Sequence, residues 1–360
     1  MIAQEATESL PGLDLVRLHP WLVEHIPEVS AASPAGLTAR HIAGGKSNLT
    51  YEVGDGTGTW IVRRPPLGHV LATAHDMARE YTVMTALRDT AVPVPRTFAL
   101  CRDEEVLGAP FYVMERVVGR PYRHASELEP LGPARTRGLC EQLVDVLAAL
   151  HAVDPAEVGL GDFGRPEGFL SRQVGRWKKQ LDASHTRDLP AAEELHRRLA
   201  AAVTTVEEVG SVPGIVHGDY RLDNVLTDSD TDVDDGEDRI RAVVDWEMAT
   251  LGDPVTDLAV LITYQRMADW AADGTVTDVS RAPGWLSEDE LLGRYDAASH
   301  RDLTHFGFYL GLAAFKLAAI LEGIHYRYLQ GQTVGPGFDT VGDAIHPLLD
   351  AGLTALGERA

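Results

Sequence analysis

Cysteine is almost absent from this chain: Cys101 and Cys140 are the only two in 360 residues. They stand far apart and outside any metal-ligand spacing, which argues against a disulfide framework or a thiolate zinc site and leaves two reduced structural thiols. Positive charge is also scarce. Lys and Arg number 32 against 54 Asp and Glu, a formal net charge of -22. A phosphate backbone would meet repulsion over most of such a surface, so nucleic acid is not an expected partner. The chain reads as lacking an apolar run of membrane-spanning length, and Met1-Ile2-Ala3-Gln4-Glu5 is acidic where a secretory signal would be basic. These absences predict a cytoplasmic protein without a membrane partner. With 44% hydrophobic and 24% charged residues, a chain of this length is expected to form a full core split between two lobes.

Two stretches carry chemistry. Val216-His217-Gly218-Asp219-Tyr220-Arg221-Leu222-Asp223-Asn224 is followed by Val243-Val244-Asp245-Trp246-Glu247. Asp219 stands five residues before Asn224 and twenty-six before Asp245, and an apolar run precedes each half. Gly, Asp and Asn are also ordinary turn formers, so none of them alone is informative. Together they match the layout of a phosphoryl-transfer site: one carboxylate orients the attacking hydroxyl, while an amide oxygen and a second carboxylate hold magnesium against nucleotide phosphates. On this pattern Asp219 is the catalytic base and Asn224 and Asp245 are the metal ligands. Magnesium completes its shell from phosphate and water, so two protein oxygens suffice. The spacing further predicts that residues 214–217 and 240–244 are strands with neighbouring ends.

Two competing motifs fail. Gly45-Lys46-Ser47 looks like the end of a P-loop, but Arg40 occupies the position of the first glycine and Leu49 to Val53 reads as strand where a helix is needed. The acidic run from Asp228 to Asp238 does not fit a calcium loop in either register, because Val233 or Asp235 falls on the glycine position and Arg239 or Arg241 on the closing glutamate. It reads as a solvated hairpin tip.

Residues 1–36 read as a short helical extension with Trp21, Leu22 and Ile26 on its buried side. From residue 37 the pattern becomes short strands, at 37–42, 50–53 and 59–62, separated by Gly-rich turns. Met77, Tyr81, Met84 and Leu87 recur at helical spacing, and Phe111 to Val117 reads as a further strand. Beyond this the chain is mainly helical, at 136–151, 169–181 and 191–209 and after Pro254, Ser287 and Thr304. Phe306 to Tyr328 reads as a buried helix and a wall of an acceptor pocket. The expected class is α+β: a small antiparallel sheet lobe over residues 37–117 and a larger helical lobe over 118–360.

The chain resembles the aminoglycoside-phosphotransferase-like small-molecule kinases, relatives of the protein kinases, and within them the branch that also occurs fused to acyl-CoA dehydrogenases. The resemblance rests on Val92-Pro93-Val94-Pro95-Arg96, Pro110-Phe111-Tyr112-Val113-Met114-Glu115, the segment from His217 to Asn224, and Gly252-Asp253-Pro254-Val255-Thr256-Asp257-Leu258-Ala259. It implies a protein-kinase-like two-lobe fold with ATP, or GTP, bound between the lobes. Gly45, Lys46, Ser47 and Asn48 would cover the phosphates, although a plain hairpin turn fits the same residues. Arg63 would replace the phosphate-binding lysine, with Glu80 as its ion-pair partner. Arg64 is the alternative contact, but alternation points it to the other face. Backbone groups near Glu115 and Val117 would meet the adenine edge, although those residues fit an ordinary buried strand equally well. Asp257 would brace the catalytic loop.

The acceptor is a small-molecule hydroxyl. The fused branch suggests a hydroxyacyl-CoA or related metabolite, and the broader family an aminoglycoside. The acidic charge suits a cationic acceptor or mere solubility. A non-catalytic nucleotide-binding or regulatory module of the same fold is the alternative, opposed by the presence of Asp219, Asn224 and Asp245 together. Neither oligomeric state nor ATP-versus-GTP preference follows from the residues.

Overall fold

The computed structural model describes residues 10–31, 36–42, 48–67, 76–210, 212–228, 238–270, 277–333 and 337–358. Contacts divide the chain into two units. The first holds Met1–Asp89, Pro93–Val118 and Val244–Glu247, and the second holds Thr90–Val92, Gly119–Val243 and Met248–Ala360.

In the first unit, β1 (Thr38–His41), β2 (Leu49–Gly54), β3 (Thr59–Arg64), β4 (Thr97–Cys101) and β5 (Phe111–Glu115) pair antiparallel in the order β1-β2-β3-β5-β4. Side chains alternate across the sheet. Trp60 and Val62 of β3 and Phe111 and Val113 of β5 join a core with the fully buried Leu18, Leu22 and Ile26 of α1 (Leu15–His25). Arg64 lies on that face, donating to the carbonyls of Gly12 at 2.6 Å and Leu107 at 2.7 Å, the latter in α3 (Glu104–Leu107). Arg63 and Tyr112 alternate to the other face and reach Glu80 on α2 (Met77–Leu87).

Two boundaries differ from the sequence reading. The expected strand 111–117 ends at Glu115, because Arg116 turns out to an ion pair with Glu52. β4 was not anticipated; its Thr97, Ala99 and Cys101 are buried and alternate with partly exposed Phe98 and Leu100.

The second unit contains α4 (Ala125–Leu128), α5 (Gly132–Ala152), α6 (Phe169–Ser184), α7 (Pro190–Val209), α8 (Val255–Ala268), α9 (Glu288–Ser299), α10 (Phe306–Leu329) and α11 (Ile345–Glu358). α10 corrects the expectation of no membrane-length apolar run, since by length and composition it could cross a membrane. Its apolar character has a structural cause: 83% of its most apolar window is buried inside the protein, against α6, α7, α8 and α11, and a helix packed on several sides is hydrophobic all round. α11 was not anticipated. It packs closely on α10, and a Cβ at Gly311 would come within 2.9 Å of Leu356 Cγ.

The expected neighbouring strands at 214–217 and 240–244 are not paired with each other. β6 (Gly214–Val216) pairs with β9 (Thr250–Gly252), and β7 (Val225–Thr227) pairs with β8 (Ile240–Val243). Asp228 and Arg239 bond to each other at the end of the β7–β8 pair, and residues 229–237 of the acidic segment lie outside the described residues. Cys101 and Cys140 are free and buried, and burial pushes the Cys140 thiol up to about 12.

The β2–β3 turn is organised by one carboxylate. Asp55 Oδ1 accepts from the amides of Thr57 and Gly58, each at 2.8 Å, and from Thr57 Oγ1 at 2.7 Å, while Oδ2 accepts from Ser30 N at 2.8 Å. Partial burial works against the charge, but these donors outweigh it and hold the carboxyl well below its usual range. A depressed carboxylate stabilises the fold above its unfolded-state pKa, and the contribution fades as pH falls. Asp55→Ala should therefore cost about 1–2 kcal/mol at neutral pH after allowance for solvent. The loss, read from urea midpoints, should shrink once the pH drops below about 4.

Candidate active site

In the first unit a buried ionic cluster gathers around Arg63. Its Nε lies 3.0 Å from Glu80 Oε2 and its Nη2 2.5 Å from Asp245 Oδ1. Glu80 is 1% exposed, Arg63 12% and Asp245 32%. Glu80 also accepts from Tyr112 Oη at 2.9 Å and from Asn48 Nδ2 at 3.0 Å, and Asn48 Nδ2 lies 3.3 Å from Glu247 Oε2. Burial opposes the Arg63 charge, but Glu80, Asp245 and Glu247 overcome it and raise its pKa. Burial dominates at Glu80 and, helped by the Asp245 charge, raises its pKa despite Arg63. One guanidinium thus serves three carboxylates, leaving the cluster anionic. Asn48 Oδ1 is buried without a hydrogen-bond partner.

Backbone conformation sets Asp245 apart. Among the described residues only Asp245, at φ 65°, and His300, at φ 54°, are non-glycine residues with positive φ. Aspartate tolerates this left-handed region better than most residues, and such positions concentrate at functional sites.

The second cluster, in the second unit, is the loop after β6. Asp257 of α8 is fully buried and accepts from the backbone amides of His217 at 2.6 Å and Gly218 at 2.8 Å, as the family resemblance implied. His151 Nε2 lies 3.4 Å from the same carboxylate. Gly218 has φ 89°, and a Cβ there would sit 2.9 Å from the carbonyl oxygen of Met248, so glycine is required on both counts. His217 Nδ1 accepts from Asp219 N at 3.2 Å. Asn224, on a single helical turn at Leu222–Asn224, donates from Nδ2 to Asp219 O at 2.8 Å and to Asp219 Oδ2 at 3.0 Å.

Asp219 keeps 24% exposure. Tyr264 Oη lies 3.3 Å from its Oδ1 and Arg221 Nε 3.4 Å from its Oδ2. Burial would raise its pKa, but Arg221 and Lys316 outweigh that and lower it. Arg221 also pairs with Asp223 at 2.9 Å and stacks at 4.6 Å on the Tyr264 ring. β7 begins directly after Asn224, β8 ends two residues before Asp245, and Val225 opposes Val243 in their register.

The structure thus gathers Asn48, Arg63, Glu80 and Asp245 in one cluster, and Asp219 with Asn224 in the other. Gly45, Lys46 and Ser47 lie outside the described residues. Glu115 ends β5 with its amide donating to Arg96 O at 2.8 Å and its carboxylate accepting from Arg96 N at 3.1 Å; Val117 follows in the connecting segment. Sequence reasoning missed the roles of Tyr112, Glu247, Arg221 and Tyr264. Glu247 and Arg221 stood in the motif segments themselves, whereas nothing in the sequence tied Tyr112 or Tyr264 to a carboxylate. Lys316 had one signal, a lone cation within an apolar run. Among the described residues no group of three or more His, Cys, Asp or Glu could hold a metal ion. Any metal here would rest on fewer protein oxygens.

The sequence profile of the phosphotransferase enzyme family matches residues 38–303. Human acyl-CoA dehydrogenase family member 11 is 32% identical over 356 residues, covering 97% of this chain but 44% of that protein; the chain thus spans under half the length of this relative. A solved structure from Ralstonia eutropha, described as a candidate aminoglycoside phosphotransferase, matches with a TM-score of 0.79 and 31% identity, covering 96% of this chain and 99% of that one. A thermostable mutant of an aminoglycoside phosphotransferase, solved with AMP-PNP and hygromycin B, shares the fold at a TM-score of 0.58 and 16% identity, over 95% and 99% of the two chains. The fold is therefore the protein-kinase-like one, and the chain belongs to the phosphotransferase enzyme family.

Proposed function

We propose that this chain is an ATP-dependent, magnesium-requiring kinase that phosphorylates a hydroxyl group of a small molecule. The observation that carries the reading is the setting of Asp219: a partly exposed, ionised carboxylate oriented by Asn224, on a loop whose amides are clasped by buried Asp257. The hydroxyl oxygen would attack the γ-phosphorus as its proton passes to Asp219; the bond to the β,γ-bridging oxygen breaks and ADP leaves. Most of the acceleration would come from positioning and charge neutralisation.

The nucleotide phosphates are assigned to Arg63, held by Glu80, and to the Gly45, Lys46, Ser47 and Asn48 segment. The adenine edge is assigned to backbone groups at Glu115 and Val117. Because the Glu115 amide is already bonded to Arg96, its carbonyl and the Val117 backbone are the available groups. Magnesium is assigned to Asn224 and Asp245. The donors suit it: Asn224 spends its Nδ2 on Asp219, leaving an amide oxygen, and a carboxylate is the other hard ligand. When bound, the ion neutralises phosphate charge. The names of the relatives support two acceptor classes, a hydroxyacyl-CoA or related metabolite and an aminoglycoside.

Asp219→Asn should lower acceptor-dependent ADP formation by about 10²–10⁴-fold while leaving ATP affinity unchanged, as measured by a coupled assay beside calorimetry. Wild-type protein that binds ATP but turns over no member of a broad alcohol panel would point instead to a binding module. Because Asp219 is held below its usual range, the acid limb of the kcat/KM profile that belongs to this carboxylate should lie below about pH 4. Asp245→Asn should weaken binding of manganese, used as a paramagnetic probe with ATP, by about tenfold or more. Unchanged manganese binding would remove Asp245 from the ligand set.

A further inference from the structure

From Phe306 to Gly323 of α10, the only charged residues are Lys316 and Glu322. Glu322 is fully satisfied, accepting from Thr186 N at 2.5 Å, Thr186 Oγ1 at 2.8 Å and Arg187 Nη2 at 3.2 Å. Lys316 is different. It is 8% exposed, donates to the carbonyl of Gly218, and stands 5.7 Å from the ring centroid of Trp177. Among the described residues no carboxylate lies within 4.0 Å of its ammonium. An ammonium has three N–H groups, and two remain after the Gly218 bond. Burying such a charge without a counter-ion is costly.

The second cation is Arg176. It is exposed, stands 5.0 Å over the same Trp177 ring, and also has no carboxylate within 4.0 Å among the described residues. Other cations of the chain also lack a close carboxylate, but Arg64, Arg120, Arg172 and Arg301 spend their donors on backbone carbonyls, whereas Arg176 stands over the ring that Lys316 also approaches. Burial lowers the Lys316 pKa, the Asp219 and Asp257 carboxylates draw it back, and Arg176 and Arg221 push against it. Two cations at one ring, mutually repelling and each without a carboxylate within 4.0 Å among the described residues, describe a place that can take negative charge.

We infer that Lys316 and Arg176, both at the Trp177 ring, form an anion subsite near Asp219, and that the acceptor is a small alcohol carrying a carboxylate or phosphate near the reacting hydroxyl. The inference rests on the kinase reading above. It narrows the acceptor classes, because a cationic aminoglycoside or choline-like alcohol would be repelled by the same groups. The position of Lys316 on the carbonyl of Gly218, the residue before Asp219, sets the anion close to the hydroxyl that Asp219 receives. A hydroxycarboxylate and a phosphorylated alcohol share the required chemistry; a hydroxyacyl-CoA, whose carboxyl is a neutral thioester and whose phosphates lie far from the hydroxyl, does not.

The test compares lactate, glycerol phosphate, a hydroxyacyl-CoA, propanediol, choline and an aminoglycoside as acceptors for the full chain, with Lys316→Met and Arg176→Gln alongside. Lactate and glycerol phosphate should be preferred. Each variant should raise their KM by about tenfold or more, leaving KM for ATP and for propanediol within about twofold. The ranking of lactate against glycerol phosphate then separates carboxylate from phosphate. Preference for the hydroxyacyl-CoA, or for a cationic or neutral acceptor, overturns the inference while leaving the kinase reading intact. So does an equal fall in kcat for every acceptor, which would make Lys316 a loop-positioning residue only. If nothing is phosphorylated, the kinase reading fails, and calorimetric titration with lactate and inorganic phosphate decides the subsite: weaker binding to Arg176→Gln upholds it, and binding equal to wild type, or none, overturns it. Arg176 is exposed, so this variant keeps the test valid if Lys316→Met does not fold.

Discussion

The clasp between Asp257 and the catalytic-loop backbone is the interaction on which the second unit's chemistry depends. Two adjacent amides, of His217 and Gly218, point at one buried carboxylate, and no water is needed to satisfy either. Burial alone would push that carboxyl toward its neutral form, but His151 and the loop amides reverse the effect and lower its pKa. An ionised acceptor makes stronger hydrogen bonds than a neutral one, so the charge that is costly to bury is also what fixes the loop. The left-handed turn at Gly218, the Asp219 amide on His217 Nδ1 and the Asn224 clamp on the Asp219 carboxylate all follow from that orientation.

The two clusters handle charge in different ways. Around Arg63, one cation serves the carboxylates of Glu80, Asp245 and Glu247, and the surplus is negative. Around Asp219, the cations Arg221 and Lys316 stand among the carboxylates of Asp219, Asp223 and Asp257, with Arg176 acting on Lys316, so cations and carboxylates are matched in number.

Much of the chemistry was legible in the sequence because it is local. The spacing of Asp219 and Asn224 fits within one loop, where the structure joins them by a hydrogen bond at 3.0 Å. Arg63 and Glu80 were paired through the family resemblance, with which strand alternation and helix spacing agree, and they meet at 3.0 Å. What failed was long-range. The pairing of β6 with β9 links residues more than thirty positions apart, and no local pattern encodes it. The apolar run of α10 was read correctly as buried, but its membrane-like length was overlooked because Lys316 and Glu322 interrupt it. Tyr112 and Tyr264 look like ordinary core aromatics in sequence; only the fold brings their hydroxyls to Glu80 and Asp219.

The central claim is transfer of a phosphoryl group to a carbon-bound oxygen under the control of Asp219. Phosphorus NMR of the full chain with ATP, magnesium and a preferred alcohol tests it most directly. The account predicts a new phosphomonoester resonance growing in step with ADP. It would be contradicted by ADP accompanied only by inorganic phosphate, which would mean hydrolysis without an acceptor, or by a phosphomonoester signal that persists at full rate in Asp219→Asn.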